Sequence, residues 1–435
     1  MSFHHATAFA FLRSARAVDE SARDAVRRKI ECPNCGLTQL GQDCLRREIT
    51  VCCRCGTPLV RRVLKSLEAT LACSIAILIL LIPAMLAPFL TTSAFGTTRT
   101  SILPSSAAFL WREGWPLLAA LVLLFVMVFP VVRFGALTAV LLAIRFGERP
   151  RWLGLTFRVA NALQTWAMLD VFLLGMAVAY ARLRVSIPVV IDMGAQCFVI
   201  AALLSLFVRA SLDKAQVWRL IGPEHQTATD AATLRAPTLA CTCCGLVVPR
   251  REAGSRCARC TAIVSARQPE SIARGSALVI AAVLLYLPAN LYPIATIPIN
   301  VTPTAYTVLG GVVDLARSHL LGLALLVFGA SFAIPLLKMV GLTWCIVSVL
   351  RRSNRNLVGK TRVYRIIEEI GRWSMVDPLT IACFVPVLHF NALIDGRAEP
   401  AATPFAAVVI LTTLASKCFD PRLMWDAAER SNDPA

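Results

Sequence analysis

Apolar residues run for bilayer-crossing lengths eight times along this chain, and polar or basic segments separate the runs. A transmembrane helix needs about 17 to 25 predominantly apolar residues. In the first half such runs lie near Leu67 to Leu90, Trp115 to Ile144, Val159 to Ala181 and Gly194 to Val208. In the second they lie near Ile272 to Ile297, Leu320 to Leu350, Trp373 to Ile394 and Phe405 to Lys417, the last of them short. The pattern predicts an all-α polytopic membrane protein. Composition agrees, with 57% hydrophobic residues, 16% charged and a mean hydropathy of +0.66; a soluble domain carries about a quarter charged residues.

Charge then sets the expected topology. Lys and Arg number 12 in the N-terminal segment, 4 from Arg145 to Arg158, 10 from Arg209 to Arg274, 7 from Arg351 to Arg372 and 3 at the C-terminal end. The alternate connections hold 6, namely Arg99, Arg112, Arg182, Arg184, Arg317 and Arg397. The positive-inside rule places both termini and the basic connections in the cytoplasm. The net charge of +18 therefore reads as topology, with anionic lipid head groups as a secondary partner, and not as a nucleic-acid footprint. The first 30 residues are basic without the apolar core of a signal peptide, so the first span is expected to anchor the chain. That segment reads equally as an amphipathic surface helix or a disordered tail.

The chain repeats itself. Ile82-Pro83-Ala84-Met85-Leu86-Ala87-Pro88 parallels Leu287-Pro288-Ala289-Asn290-Leu291-Tyr292-Pro293, and Pro130 with Arg133 parallels Pro335 with Lys338, both at an offset of 205. At an offset of 207, Trp166-Ala167-Met168-Leu169-Asp170 parallels Trp373-Ser374-Met375-Val376-Asp377. Four spans in each repeat, an even number, make the repeats parallel, related by a pseudo-twofold axis along the membrane normal. The expected organisation is a basic tail (1–30), a first ribbon (31–62), a four-helix membrane domain (66–213), a linker (214–237), a second ribbon (238–268), a second four-helix domain (272–425) and a tail (426–435).

The ribbons rest on cysteine spacing. Cys32, Cys35, Cys52 and Cys55 form two C-x2-C pairs ahead of the first apolar run, and Cys241, Cys244, Cys257 and Cys260 do so ahead of the second set. Two such pairs bring four thiolates onto two tight turns around one ion. A reducing cytoplasm argues against disulfides. Zn2+ is the simplest occupant, and iron in a rubredoxin-like site is the competitor, since the same turns hold either. Four-Cys coordination leaves no open position for substrate, so catalysis at these metals is not expected. Gly36, Gly56 and Gly245 follow three of the pairs, where a positive φ helps the turn; Thr261 stands at the fourth.

Polar residues inside the spans supply the other candidate chemistry. Lys338 is costly at membrane depth and calls for a partner or a wet cavity. Asp377 is the expected partner, and Arg133 with Asp170 form the matching pair of the first repeat. Ser374, Thr412 and Thr413 are positioned to extend the network around Lys338, or to bond backbone within their own helices. Snorkelling by Lys338 and helix capping by Asp377 are the alternatives. Prolines at 83, 88, 130, 288, 293, 335 and 386 suggest interrupted helices, above all at Pro288 to Pro293, with Asn290 available to cap a fragment. No Walker A loop, HExxH pair or GxSxG elbow is present, so an ATPase, zinc protease or serine hydrolase is unsupported.

Tyr286 to Pro293, Pro335 to Lys338, Glu369-Ile370-Gly371-Arg372-Trp373-Ser374-Met375-Val376-Asp377 and Phe419-Asp420-Pro421-Arg422-Leu423-Met424-Trp425 closely resemble the signatures of the paraquat-inducible protein A family. The resemblance covers nearly the whole chain. It implies a bacterial inner-membrane protein, not an enzyme, that exchanges phospholipid or a similar amphiphile with a periplasmic MCE-domain (mammalian cell entry) tunnel partner. It adds Asn290, Glu369 and Arg372 to the candidate network of Lys338, Asp377, Ser374, Thr412 and Thr413. In the first half Gln164-Thr165 replaces the Gly-Arg before Trp, Met85 replaces Asn and no Phe-Asp-Pro-Arg-Leu follows the fourth span. The working site is therefore expected in the second half and a supporting role in the first. A small-solute secondary transporter, a membrane redox protein with iron and a passive scaffold are the other readings.

Overall fold

A computed structural model of the chain describes residues 29–432 apart from 41–44, 47–48, 62–66, 95–96, 184–187, 223–237, 300–301, 318, 320, 377, 380–388, 391–393 and 396. The basic tail expected over 1–30 lies almost wholly outside the described residues, and the seventh run, with Asp377, lies largely outside them. Among the described residues, six helices are long and apolar enough to cross a membrane: Leu67–Leu86, Pro116–Arg145, Leu153–Ala181, Met193–Ser211, Ser271–Leu291 and Leu321–Leu350. Ala402–Cys418 with Arg422–Arg430, bent by 51°, forms a seventh if the two are taken together.

The first ribbon is built from the hairpin β1 (Lys29–Glu31) and β2 (Thr38–Leu40) and from β3 (Leu45–Arg46), β4 (Ile49–Val51) and β5 (Pro58–Arg61). α1 (Leu67–Leu86) follows and leads to a hairpin, β6 (Leu90–Ala94) and β7 (Thr97–Ser101), and to α2 (Leu103–Arg112). The second span is α3 (Pro116–Leu121), a π-helical stretch at Val122–Val128 and α4 (Phe129–Arg145). The third is interrupted: α5 (Leu153–Ala162), a 3-10 turn at Leu163–Thr165, then α6 (Leu169–Leu183). β8 (Val189–Ile191), α7 (Met193–Ser211) and α8 (Lys214–Ile221) complete the half.

The second half returns the same elements. β9 (Thr238–Ala240) and β10 (Val247–Pro249) carry the second ribbon. Then come α9 (Ser271–Leu291), β11 (Ala295–Ile299), β12 (Thr302–Tyr306) and α10 (Val308–Arg317). α11 (Leu321–Phe328), a π-helical stretch at Gly329–Ala333 and α12 (Ile334–Leu350) follow, and then α13 (Leu357–Ile370) with a 3-10 turn at Gly371–Met375. The short strands β13 (His389–Phe390), β14 (Ile394–Asp395) and β15 (Arg397–Ala398) precede α14 (Ala402–Cys418) and α15 (Arg422–Asn432).

Two expectations need correction. The fold is mostly helical but not all-α, because the connections farthest from the ribbons fold into three-stranded antiparallel sheets, β7-β6-β8 and β12-β11-β15. Thr-rich, β-branched sequence such as Leu90-Thr91-Thr92 and Thr97-Thr98 favours strand over helix. The helices are not broken at Pro288: α9 runs through it to Leu291. Pro83 and Pro288 each fall in the last turn, so the backbone bond each removes lies at the helix end and does not divide the span. The interruption lies instead in the third spans, at the Trp-x-Met-x-Asp segments. There the Met168 amide donates to the carbonyl of Phe125 in the π-helical stretch (3.3 Å), so irregular backbone is satisfied by irregular backbone. α8 lies at the start of the segment expected as a linker, and its Trp218 meets the Phe157 ring edge-on at 4.7 Å; α15 ends at Asn432.

α1 packs along α7 and α4, and α9 along α14. The ribbons cross between the halves. Second-ribbon cysteines share a core with Phe157 and Trp218 of the first half. First-ribbon cysteines share a core with Leu342, Tyr364, Phe419 and Trp425 of the second.

Candidate functional site

Each Cys quartet closes the same way. In each C-x2-C turn the first cysteine donates its amide to a carbonyl five residues on and accepts one from four residues on, as in Cys32 N to Leu37 O (2.9 Å) and Gly36 N to Cys32 O (2.9 Å). Gly36, Gly56 and Gly245 have φ of 73°, 69° and 69°, and Thr261 takes 59° at the fourth turn. The turn thus imposes the left-handed conformation even on a β-branched residue. Sulfur separations are 3.5 Å for Cys32–Cys55, 3.4 Å for Cys35–Cys52, 3.5 Å for Cys241–Cys260 and 3.6 Å for Cys244–Cys257. A disulfide bond is about 2.05 Å, whereas sulfurs at about 2.3 Å from a tetrahedral ion stand about 3.8 Å apart. All eight cysteines are buried, and both quartets can hold a metal ion. The thiols of Cys32 and then Cys35 hold Cys55 well below the ordinary thiol range, and those of Cys244 and Cys257 do the same to Cys241. Contacts with Cys32 and then Cys55 push Cys35 up, and contacts with Cys241 and then Cys257 push Cys244 up.

Around the ribbons lies a set of ion pairs whose role the sequence did not disclose. Glu31 accepts from Arg422 Nη1 (3.1 Å) and from the Ala240 amide of the second ribbon (2.7 Å). Arg422 also grips Asp420 (3.1 Å), which accepts from the Gln268 amide (3.2 Å). Arg267 holds Asp426 through two bonds of 2.6 and 2.7 Å. Arg54 stacks over Trp425 (4.4 Å) and pairs with Glu429 (2.7 Å). The Phe419-Asp420-Pro421-Arg422-Leu423 segment, visible in the sequence only as a signature, is thus the joint between the second bundle and both ribbons. On the other side Arg158 donates to the Cys260 carbonyl (3.2 Å), and a Cβ at Gly154 would overlap the Arg259 carbonyl.

The second-half membrane residues converge in part. Lys338, 2% exposed, donates from Nζ to Thr413 Oγ1 (3.0 Å) and to the Gly371 carbonyl (3.2 Å). Ser374 Oγ donates to that carbonyl as well (2.8 Å). Thr413 and Thr412 each donate to Val409 O (2.8 and 3.1 Å). Asp377 and the Arg372 side chain lie outside the described residues. Two turns along the same span Ser331 Oγ is buried without a hydrogen-bond partner among the described residues, and on α9 so is Asn290 Oδ1. Asn290 caps no fragment: its Nδ2 donates back to Tyr286 O (2.9 Å). Glu369 is exposed and pairs with Arg209 of the first half (2.8 Å).

Arg133 and Asp170 lie within electrostatic reach of each other. Asp170 lies 3.9 Å from Arg209, while Arg133, 6% exposed, lies against the Phe134 ring at 4.8 Å. In both halves the cation follows a π-helical stretch and a proline: Val122–Val128, Pro130 and Arg133, then Gly329–Ala333, Pro335 and Lys338. Such π segments recur at functional positions in helices, and the proline, which has no N–H to give, sits at the return to α-helix.

Comparison with known proteins supports these parallels. A family model described as paraquat-inducible protein A matches residues 67–222 and again 272–429. The chain is 29% identical to the intermembrane transport protein PqiA of Escherichia coli (strain K12) over 87% of its own length and 91% of the relative's. It is 31% identical to the lipophilic envelope-spanning tunnel protein A of the same strain over 66% of each. It is 25% identical to a probable intermembrane transport protein of Haemophilus influenzae over 62% of its length and 65% of the relative's. No solved structure matches. With both halves matched by the same family unit, this multi-pass membrane protein belongs to the paraquat-inducible protein A family.

Proposed function

We propose that this chain is the inner-membrane component of an intermembrane lipid transport system. It passes phospholipid or a similar amphiphile between its membrane bundles and a periplasmic MCE-domain tunnel partner. The observation that carries the reading is Lys338, a lysine buried inside a spanning bundle and held by a threonine hydroxyl and a backbone carbonyl at an interrupted helix. Such a group is expensive in a membrane and marks substrate or ion paths. Relatives named for intermembrane transport and for a lipophilic tunnel point the same way. In this reading the chain forms two parallel four-span repeats with termini and ribbons in the cytoplasm, and Asp377 completes the second-half network and takes up protons during the cycle. Zn2+ fills both quartets and fixes each ribbon against the bundle of one half.

Lys338→Ala and Asp377→Ala are each expected to abolish complementation of a deletion strain at unchanged membrane abundance. Wild-type complementation by both variants removes the site. Copurification of an MCE-domain protein, with mass spectrometry of bound lipid, tests the partner. A small-solute transporter would show neither, and a redox protein would show ferric-thiolate absorbance.

A further inference from the structure

The second quartet has a further sulfur beside its fourth ligand. In the first ribbon Asn34, the third residue of the first C-x2-C turn, donates from Nδ2 to Thr57 Oγ1 (3.1 Å), and that hydroxyl lies 3.0 Å from the Cys55 sulfur. At the matching places of the second ribbon stand Cys243 and Ala262. Ala262 has no hydroxyl to offer, and the Cys243 thiol comes within hydrogen-bond reach of the Cys260 sulfur itself. The group against the fourth ligand is thus a hydroxyl in one quartet and a thiol in the other.

Accessibility separates the sulfurs. Cys241, Cys244, Cys257 and Cys260 are buried, Cys260 completely, whereas Cys243 is exposed. An oxidant arriving from solvent meets Cys243 first. The ligand whose sulfur Cys243 contacts is Cys260, and a cysteine that ligates a metal does so as the thiolate, the nucleophilic form. An exposed thiol poised next to a second cysteine that can close on it is the arrangement reversible thiol oxidation needs. The position of this pair gives it leverage. The Cys260 carbonyl accepts from Arg158 of α5 (3.2 Å), and the Arg259 carbonyl lies where a Cβ on Gly154 of the same helix would stand. The turn that carries Cys260 is therefore the seat of the second ribbon on the first bundle.

We propose that Cys243 makes the second quartet a peroxide-sensitive switch, with Cys260 as the resolving cysteine. Hydrogen peroxide transfers one oxygen to the Cys243 thiol, giving a sulfenic acid and water. The Cys260 thiolate then attacks the Cys243 sulfur; the S–S bond forms, hydroxide leaves, and a proton from solvent converts it to a second water. Two electrons pass from the pair of sulfurs to the peroxide. The disulfide withdraws one of four ligands, so the ion is released and the Cys257–Cys260 turn moves off α5. A dithiol reduces the bond again. The switch rests on the metal reading of the quartets and is independent of the lipid-transport reading.

The test uses the full chain, purified in detergent, loaded with Zn2+ and treated with hydrogen peroxide. Zinc release is followed with a chromophoric chelator, and disulfides are mapped by mass spectrometry after thiol blocking. Wild-type protein is expected to lose one of its two ions, to gain a Cys243–Cys260 disulfide and to exchange amide hydrogens faster over Leu153–Ala162. Dithiothreitol with fresh Zn2+ restores the starting state. Cys243→Ser, which keeps all four ligands, is expected to retain both ions under the same treatment, and Cys243→Ala serves if that variant fails to accumulate. Equal zinc loss from wild type and Cys243→Ser, no loss from wild type, or a disulfide joining Cys243 to any residue other than Cys260 overturns the proposal. A second quartet that binds no Zn2+ before treatment removes the metal reading and the switch with it, and leaves the transport reading standing.

Discussion

At the scale of single residues, the costly groups could be read from sequence and their surroundings could not. A lysine in a thirty-residue apolar run announces itself. The carbonyl that receives it, at Gly371, belongs to a residue with no side chain and no composition signal. A Cβ at Gly371 would lie 2.8 Å from Lys338 Cε, so Gly371→Ala displaces the lysine. Overpacking of this kind costs about 1 to 3 kcal/mol, and we expect a lowered melting temperature together with impaired complementation. A normal melting temperature and full complementation would contradict the contact. The cysteine ligands were legible because spacing alone specifies two tight turns. Their protonation adds a sign: Cys35 and Cys244 are pushed up, so a metal must displace their protons, and binding strengthens as pH rises. Each proton released changes affinity by about tenfold per pH unit. Chelator competition should therefore strip the metal readily near pH 5.5 and slowly near pH 8; equal rates would contradict thiolate ligation.

Elements were legible where the pattern is long and ambiguous where it is short. Apolar runs gave the spans, and offsets of 205 and 207 gave the correspondence between halves. The far-side sheets were missed because strands of about five residues in short connections carry little periodic signal. The interruption was assigned to prolines because proline is the visible helix breaker. The first half's third span breaks instead beside Met168, whose amide finds a carbonyl at Phe125 in the π-helical neighbour. Contact of the ribbons with both bundles gives an asymmetric expectation. Cys32→Ser with Cys35→Ser should reduce bound metal from two ions per chain to one and raise hydrogen exchange in Arg422–Asn432 and Leu357–Ile370, leaving Leu153–Ala162 protected. Loss of protection in the first bundle instead would contradict the crossed packing.

For the whole molecule, a ribbon-side joint and two unlike membrane halves emerge from one duplicated unit. Glu31, Asp420 and Arg422 tie both ribbons to the second bundle, at side-chain exposures of 7%, 2% and 8%. Arg422→Ala leaves two buried carboxylates without their cation, which costs about 3 to 5 kcal/mol. That loss should appear as poor membrane accumulation, in contrast to Lys338→Ala, which spares accumulation and removes activity. Sequence divergence between the halves suggested that only the second works. The geometry of the two cations differs: Lys338 is held by Thr413 and Gly371, whereas Arg133 lies against the Phe134 ring. The central claim is that phospholipid moves through the second bundle past Lys338. The most direct measurement is transfer of a labelled phospholipid between proteoliposomes carrying this chain and the proposed MCE-domain partner. Wild-type protein should support transfer and Lys338→Ala should not; transfer at the wild-type rate by Lys338→Ala would contradict the account.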